Sequence, residues 1–99
     1  MTYRFHRAAL AEHLDQVAYY ESRMKGLGSD YLSEFEKLME RVSSAPEAYP
    51  QIDDSNLRKA GFSRFPFHAI YRVEKSHLVI LAIAHRRRRP AYWVGRIGE

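Results

Sequence analysis

Seven consecutive apolar residues, Leu78-Val79-Ile80-Leu81-Ala82-Ile83-Ala84, constrain the fold of this chain more than any other stretch. The run is far shorter than the ~20 residues that a membrane-spanning helix needs. Its length and its β-branched content suit a strand, and its lack of alternation suits a central strand covered on both faces. A chain of 99 residues must therefore build a sheet with something on each side. One cover is expected from helices in the first half. The other must come from the chain's own C-terminus or from a partner.

The first half reads as those helices. After a short strand around Tyr3 to Phe5, Leu10, Leu14, Val17 and Met24 recur at helical spacing, with Ala18 and Tyr20 or Glu21 at the border. Gly26-Leu27-Gly28 stops this helix, because glycine reaches the left-handed C-cap conformation without steric cost. Ser29 or Asp30 is the expected cap of a second helix, whose stripe is Leu32, Phe35, Leu38, Met39 and Val42. Leu14, Val17, Leu32, Phe35 and Leu38 are expected to be structural, facing the sheet. Tyr19, Tyr20 and Tyr31 are expected on the helix surface. Pro46 and Pro50 bracket the exit.

The period then changes. Leu57 to Phe62 is a plausible strand, with Gly61 marking a bulge or a close backbone approach. Ser63-Arg64-Phe65-Pro66 reads as a turn. In the next strand Phe67, Ala69, Tyr71 and Val73 share one face, with His68, Ile70 and Arg72 on the other. Lys75-Ser76 connects it to the apolar strand. The expected architecture is a single α+β domain over 1–99: a helical hairpin on a small, mostly antiparallel sheet, in the order β-α-α-β-β-β with a short C-terminal tail.

Charge is unevenly divided. Residues 1–54 hold six Lys/Arg against ten Asp/Glu, a balance of −4; residues 55–99 hold ten against two, a balance of +8. Such a half suits an anionic partner. There is no cysteine, which excludes a disulfide or a Cys-based zinc site. His6, His13, His68 and His77 show no metal-ligand spacing, and Gly26 and Gly28 do not make a phosphate loop. No metal or cofactor is expected. The N-terminus lacks the apolar core of a signal peptide, so a cytoplasmic location is expected.

Several phrases then point to one family. Gly26-Leu27-Gly28 lies between the helices, and Ala45-Pro46-Glu47-Ala48-Tyr49-Pro50 follows the second. Arg64-Phe65-Pro66-Phe67 leads into Ile70-Tyr71-Arg72-Val73-Glu74, and Ile83-Ala84-His85-Arg86-Arg87-Arg88 leads into Pro90-Ala91-Tyr92-Trp93. In this order the chain resembles toxins of the RelE/ParE superfamily of type II toxin–antitoxin systems, on its ParE-like, plasmid-stabilisation side, over roughly residues 3–95. Phe67 stands where tyrosine is usual, and the four arginines are more basic than typical.

The resemblance implies a cytoplasmic toxin neutralised by a cognate antitoxin. ParE-like members poison DNA gyrase; RelE-like members cut mRNA in the ribosomal decoding site. Binding to gyrase is the expected activity, with Arg58, Lys59, Arg64, Arg86 and Arg87 as target-binding residues. Under the nuclease alternative, His85 and Tyr92 would be base and acid. Binding is preferred over catalysis because no acidic residue is expected near enough to tune a base, and because the family's ParE side does not depend on nuclease chemistry. A third alternative is a basic RNA-binding module, which lacks a stacking signature: Phe65, Phe67 and Tyr71 lie close enough, but two of them are expected in the core. The antitoxin segment is expected to be acidic and partly apolar, folding against the basic half and the apolar strand.

Overall fold

In a computed structural model covering residues 1–99, the expected element order is present. β1 (Thr2–Phe5) is followed by α1 (Arg7–Arg23) and α2 (Leu27–Ser44), then β2 (Arg58–Gly61), β3 (Phe67–Glu74) and β4 (His77–His85). A 3-10 turn at Val94–Arg96 lies in the tail. The sheet order is β1-β4-β3-β2, so the apolar strand β4 is central. β1 runs parallel to β4, and the other two pairings are antiparallel.

The cover on both faces of β4 comes from the chain itself. The hairpin side is the larger core, in which Tyr31, Phe35, Leu38 and Val42 of α2 meet Phe67, Ala69, Tyr71, Leu78, Ile80 and Ile83. On the other face Leu57, Ile70, Leu81, Ala82 and Trp93 form a second cluster, with Ile52 and Tyr92 against it. The expectation that an antitoxin would fold against this strand is thus corrected: the chain's own Leu57 and Trp93 cover the face that was expected to be open. Cover on both faces explains its lack of alternation, and a bulge lies within it. Ile70 pairs with Ala82 but Tyr71 pairs with Ile80, which leaves Leu81 as an extra residue. One inserted residue exchanges the faces beyond it, so Leu78 and Ile80 face the hairpin before the bulge and Ile83 after it.

Helix α1 presents a different face from the expected one. Ala9 and His13 are its buried residues, with Val17 and Tyr20 against the core. Leu10, Leu14 and Met24 are 41%, 55% and 58% exposed, and Leu32 of α2 is 39% exposed. The true stripe is displaced by one position, roughly 100° around the helix. Small Ala9 allows close approach, and the His13 ring fits between Phe5 and Phe35, at 5.0 and 4.4 Å between centroids. Tyr31, expected on the surface, is fully buried, and its hydroxyl lies 3.1 Å from His13 Nδ1. Tyr19 is exposed, as expected.

The link between the helices also differs. Gly26, at φ 90°, is itself the N-cap of α2, so neither Ser29 nor Asp30 caps it. The Glu21 carboxylate accepts the Gly26 and Gly28 amides at 3.0 Å, doing the cap's work from the preceding helix. A Cβ on Gly28 would stand 2.8 Å from the Val17 carbonyl oxygen, so that position requires glycine.

His13 gives the fold a pH dependence. Burial lowers its pKa below the ordinary imidazole value, against a smaller opposing effect of Glu36. The unfolded chain therefore binds the proton first. The stability from neutral His13 is complete above about pH 6.5 and is lost as pH falls below it, toward the pKa of the folded protein. Urea unfolding at pH 7.5 and 5.5 should show a drop in stability that shrinks in a His13→Gln variant. An unchanged drop would assign the effect to other groups.

Candidate functional site

The strand register builds a basic cleft on the sheet face away from the hairpin. Cross-strand partners point to the same side. Gly61, His68 and Ala84 therefore form one row, and Lys59, Ile70 and Ala82 the next. Gly61 and Ala84 are small, which leaves space around the imidazole between them. Gly61 shows neither the bulge nor the close backbone approach expected: it pairs in register with His68, and a Cβ there would meet only Arg86 Nη2 at 3.4 Å, an ordinary contact. Arg86 Nη2 donates to the Phe62 carbonyl at 3.2 Å.

After β4 the chain turns back over this face. Arg86, Arg88, Arg89, Tyr92 and Trp93 complete a cleft of about 280 Å³ with Lys59, His68 and Ile70. Four of its lining residues, Lys59, Arg86, Arg88 and Arg89, are cationic, and none takes part in an ion pair. Asp53 is the only carboxylate residue on the lining. The Arg88 guanidinium lies over the Tyr92 ring, 4.0 Å from its centroid.

His68 was missed in the sequence. Its Nδ1 is buried without a hydrogen-bond partner. Burial, then Lys59, then Arg86 lower its pKa, so the ring is neutral at pH 7. Only its place on the outward face of β3 was legible; its position between Gly61 and Ala84 depends on register.

The expected binding residues divide. Lys59 and Arg86 line the cleft. Arg58 donates to the Tyr49 carbonyl at 2.7 Å, and Arg64 pairs with Asp30 at 3.3 Å beside the helical hairpin. Arg87 is exposed but outside the cleft lining.

The two candidate catalytic groups both line the cleft and each makes a further contact. His85 Nδ1 accepts the Arg87 amide at 3.0 Å, and its ring lies edge-on to Phe67, a residue of the hairpin-side core. Tyr92 donates to Glu12 Oε2 at 2.7 Å. Burial raises the Tyr92 pKa well above its ordinary value, and the hydrogen bond and charge of Glu12 raise it further. An acidic residue does stand beside the site: Glu12 arrives from α1, eighty positions away from Tyr92, and the expectation that none stood near is corrected. Phe65, Phe67 and Tyr71 are buried, so they cannot offer the exposed stacking platform of an RNA-binding module.

No group of three His, Cys, Asp or Glu side chains is arranged to hold a metal ion. No helix is long and apolar enough to cross a membrane.

Comparison with known proteins places this geometry. The family described as ParE toxin of type II toxin-antitoxin system, parDE, matches residues 3–90. Among solved structures the chain is similar to one titled "Chromosomal ParDE TA system from P. aeruginosa", with a TM-score of 0.63 and 21% identity. That match covers 86% of this chain and 95% of the other. No curated protein matches.

Proposed function

Because the chain belongs to the ParE toxin family of type II toxin–antitoxin systems, we propose that it arrests DNA gyrase by docking its basic cleft on the enzyme, with no chemistry of its own. The observation that carries this reading is the set of cleft cations, Lys59, Arg86, Arg88 and Arg89, without carboxylate partners. Such charges are free to meet an anionic surface and to speed encounter with it. The commitments of Tyr92 to Glu12 and of His85 to the Arg87 amide support binding over catalysis.

The toxin acts in the cytoplasm, where a cognate antitoxin neutralises it. The apolar part of that antitoxin is assigned to Leu10 and Leu14, one turn apart on α1, and to Leu32 of α2, which the sheet leaves exposed. An amphipathic segment laid on these residues would bury them as an added helix does.

Ribosome-dependent mRNA cleavage retains one observation in its favour, the neutral, unpartnered His68 amid cations, which has the form of a general base. Two assays on one purified protein decide. Inhibition of gyrase supercoiling, with no cleavage of mRNA on programmed ribosomes, is expected. Cleavage of mRNA on programmed ribosomes that disappears in His68→Ala, with gyrase untouched, would overturn the proposal.

A further inference from the structure

Glu12 is the most heavily used side chain outside the cleft. Its Oε1 accepts the Ile83 amide at 3.0 Å and Arg96 Nη1 at 2.9 Å. Its Oε2 accepts the Tyr92 hydroxyl at 2.7 Å and Arg96 Nη2 at 3.0 Å. Arg96 Nη1 also donates to the Leu81 carbonyl at 2.9 Å. Both side chains of this ion pair are 17% exposed, so the pair is shielded and its hydrogen bonds are of the stronger, charge-assisted kind.

The place of this cluster in the fold gives it a meaning. Pairing of β1 with β4 ends at Phe5 and Ile80, immediately before the bulge at Leu81. Beyond that point the β4 backbone has no neighbouring strand on this side. Glu12 and Arg96 satisfy Ile83 N–H and Leu81 C=O in its place. The same two side chains clamp the segment 91–97. That segment starts at Ala91 in the left-handed region, φ 62°, and carries Tyr92 and Trp93 onto the cleft. Its apolar anchorage is confined to Tyr92 and Trp93: Val94 and Ile97 are 51% and 39% exposed. Polar clasps hold it instead, including Arg72 Nη1 to the Ile97 carbonyl at 3.0 Å. A line of contact therefore runs from Glu12 to the Tyr92 hydroxyl and from the Tyr92 ring to Arg88, a cation of the cleft.

We propose that Glu12 is a positioning residue of the target site: from α1 its carboxylate fixes Tyr92 and the segment 91–97, and so sets the wall of the cleft that meets the target. The inference rests on the reading of the cleft as the gyrase-docking surface. A purely structural Glu12 would, on removal, weaken the fold and every binding activity alike. A positioning Glu12 separates them, because the helical leucines assigned to the antitoxin do not depend on the segment 91–97.

The test uses the full chain carrying Glu12→Gln, with Tyr92→Phe as a milder variant that removes one hydrogen bond and keeps the ring. Gyrase inhibition should weaken by about tenfold in Glu12→Gln, the size given by loss of one hydrogen bond to a charged group. Affinity for the antitoxin should stay unchanged. NMR of ring-labelled tyrosine should show the Tyr92 phenol titrating closer to the ordinary range once the carboxylate is gone. The double variant should be no weaker than Glu12→Gln alone, since both remove the same linkage. Inhibition and antitoxin affinity falling together, or inhibition kept while the Tyr92 titration moves, would overturn the inference. A Lys59→Ala, Arg86→Ala, Arg88→Ala control separates the two levels. If it still inhibits gyrase fully, the docking reading itself falls; if it does not inhibit but Glu12→Gln does, only the role of Glu12 falls.

Discussion

Phe35→Ala is expected to lower the unfolding free energy by about 3–5 kcal/mol, the usual cost of emptying a buried aromatic site. Phe35 is fully buried in the hairpin-side core. Its ring lies 5.5 Å from those of Tyr3 and Phe5, 4.4 Å from His13 and 6.2 Å from Phe62. It therefore joins β1, α1 and the segment after β2, and no single neighbour can move to fill its place. Small domains are stable by only about 5–15 kcal/mol, so the variant should be near the limit of folding and non-toxic for that reason. Leu14→Ala is the contrast. Leu14 is 55% exposed, so its truncation should change stability by no more than about 0.5 kcal/mol while weakening the antitoxin complex. Urea titration of both variants checks this pair. A native midpoint for Phe35→Ala would refute the placement of the core.

Simultaneous replacement of Lys59, Arg86 and Arg88 by alanine should have the largest functional effect, a loss of gyrase inhibition of about 100-fold or more at low salt. These side chains share one cleft and have no carboxylate partners, so their removal relieves repulsion and breaks no ion pair. That relief is offset by loss of the Arg86 hydrogen bond to the Phe62 carbonyl and of the Arg88 contact with the Tyr92 ring, so the melting temperature should stay close to that of the unaltered chain. The proton affinity of His68 should increase, because Lys59 and Arg86 are two of the causes that lower it. Wild-type inhibition should weaken steeply with added salt, and the triple variant should lose most of that dependence. Inhibition that ignores both salt and the substitutions would move the docking surface elsewhere.

The order of elements was readable because the apolar period changes from helical to strand-like after Pro50, and because a doubly apolar run has to be central. What was not readable depended on shape and on distance in sequence. A scale of polarity counts His13 as an outward residue and Leu14 as an inward one. In the fold the flat imidazole fits among Phe5, Tyr31 and Phe35, and the leucine faces out. The bulge at Leu81 leaves no trace in a strand where both faces are apolar. In the cleft, Lys59 and Arg86 were found from charge and resemblance. Arg58 and Arg64 carry the same charge but are spent on a carbonyl and on Asp30. His68 required the register of three strands. Glu12 could not be found from local pattern at all, since its partners lie at positions 83, 92 and 96.

The parallel pairing of the first strand with the last has a consequence for synthesis. Thr2 to Phe5 align with His77 to Ile80, so the first strand of the nascent sheet waits for a partner that is translated only after both helices and two further strands. At the usual ~5–20 residues per second, the stretch between these two strands takes roughly 4–15 s to make, and until then the sheet cannot close. The helical hairpin, whose contacts are local, can form early, and it carries the leucines assigned here to the antitoxin. The basic cleft needs β2, β3, β4 and the segment after them. An antitoxin already present would thus meet the residues assigned to it before the basic cleft exists.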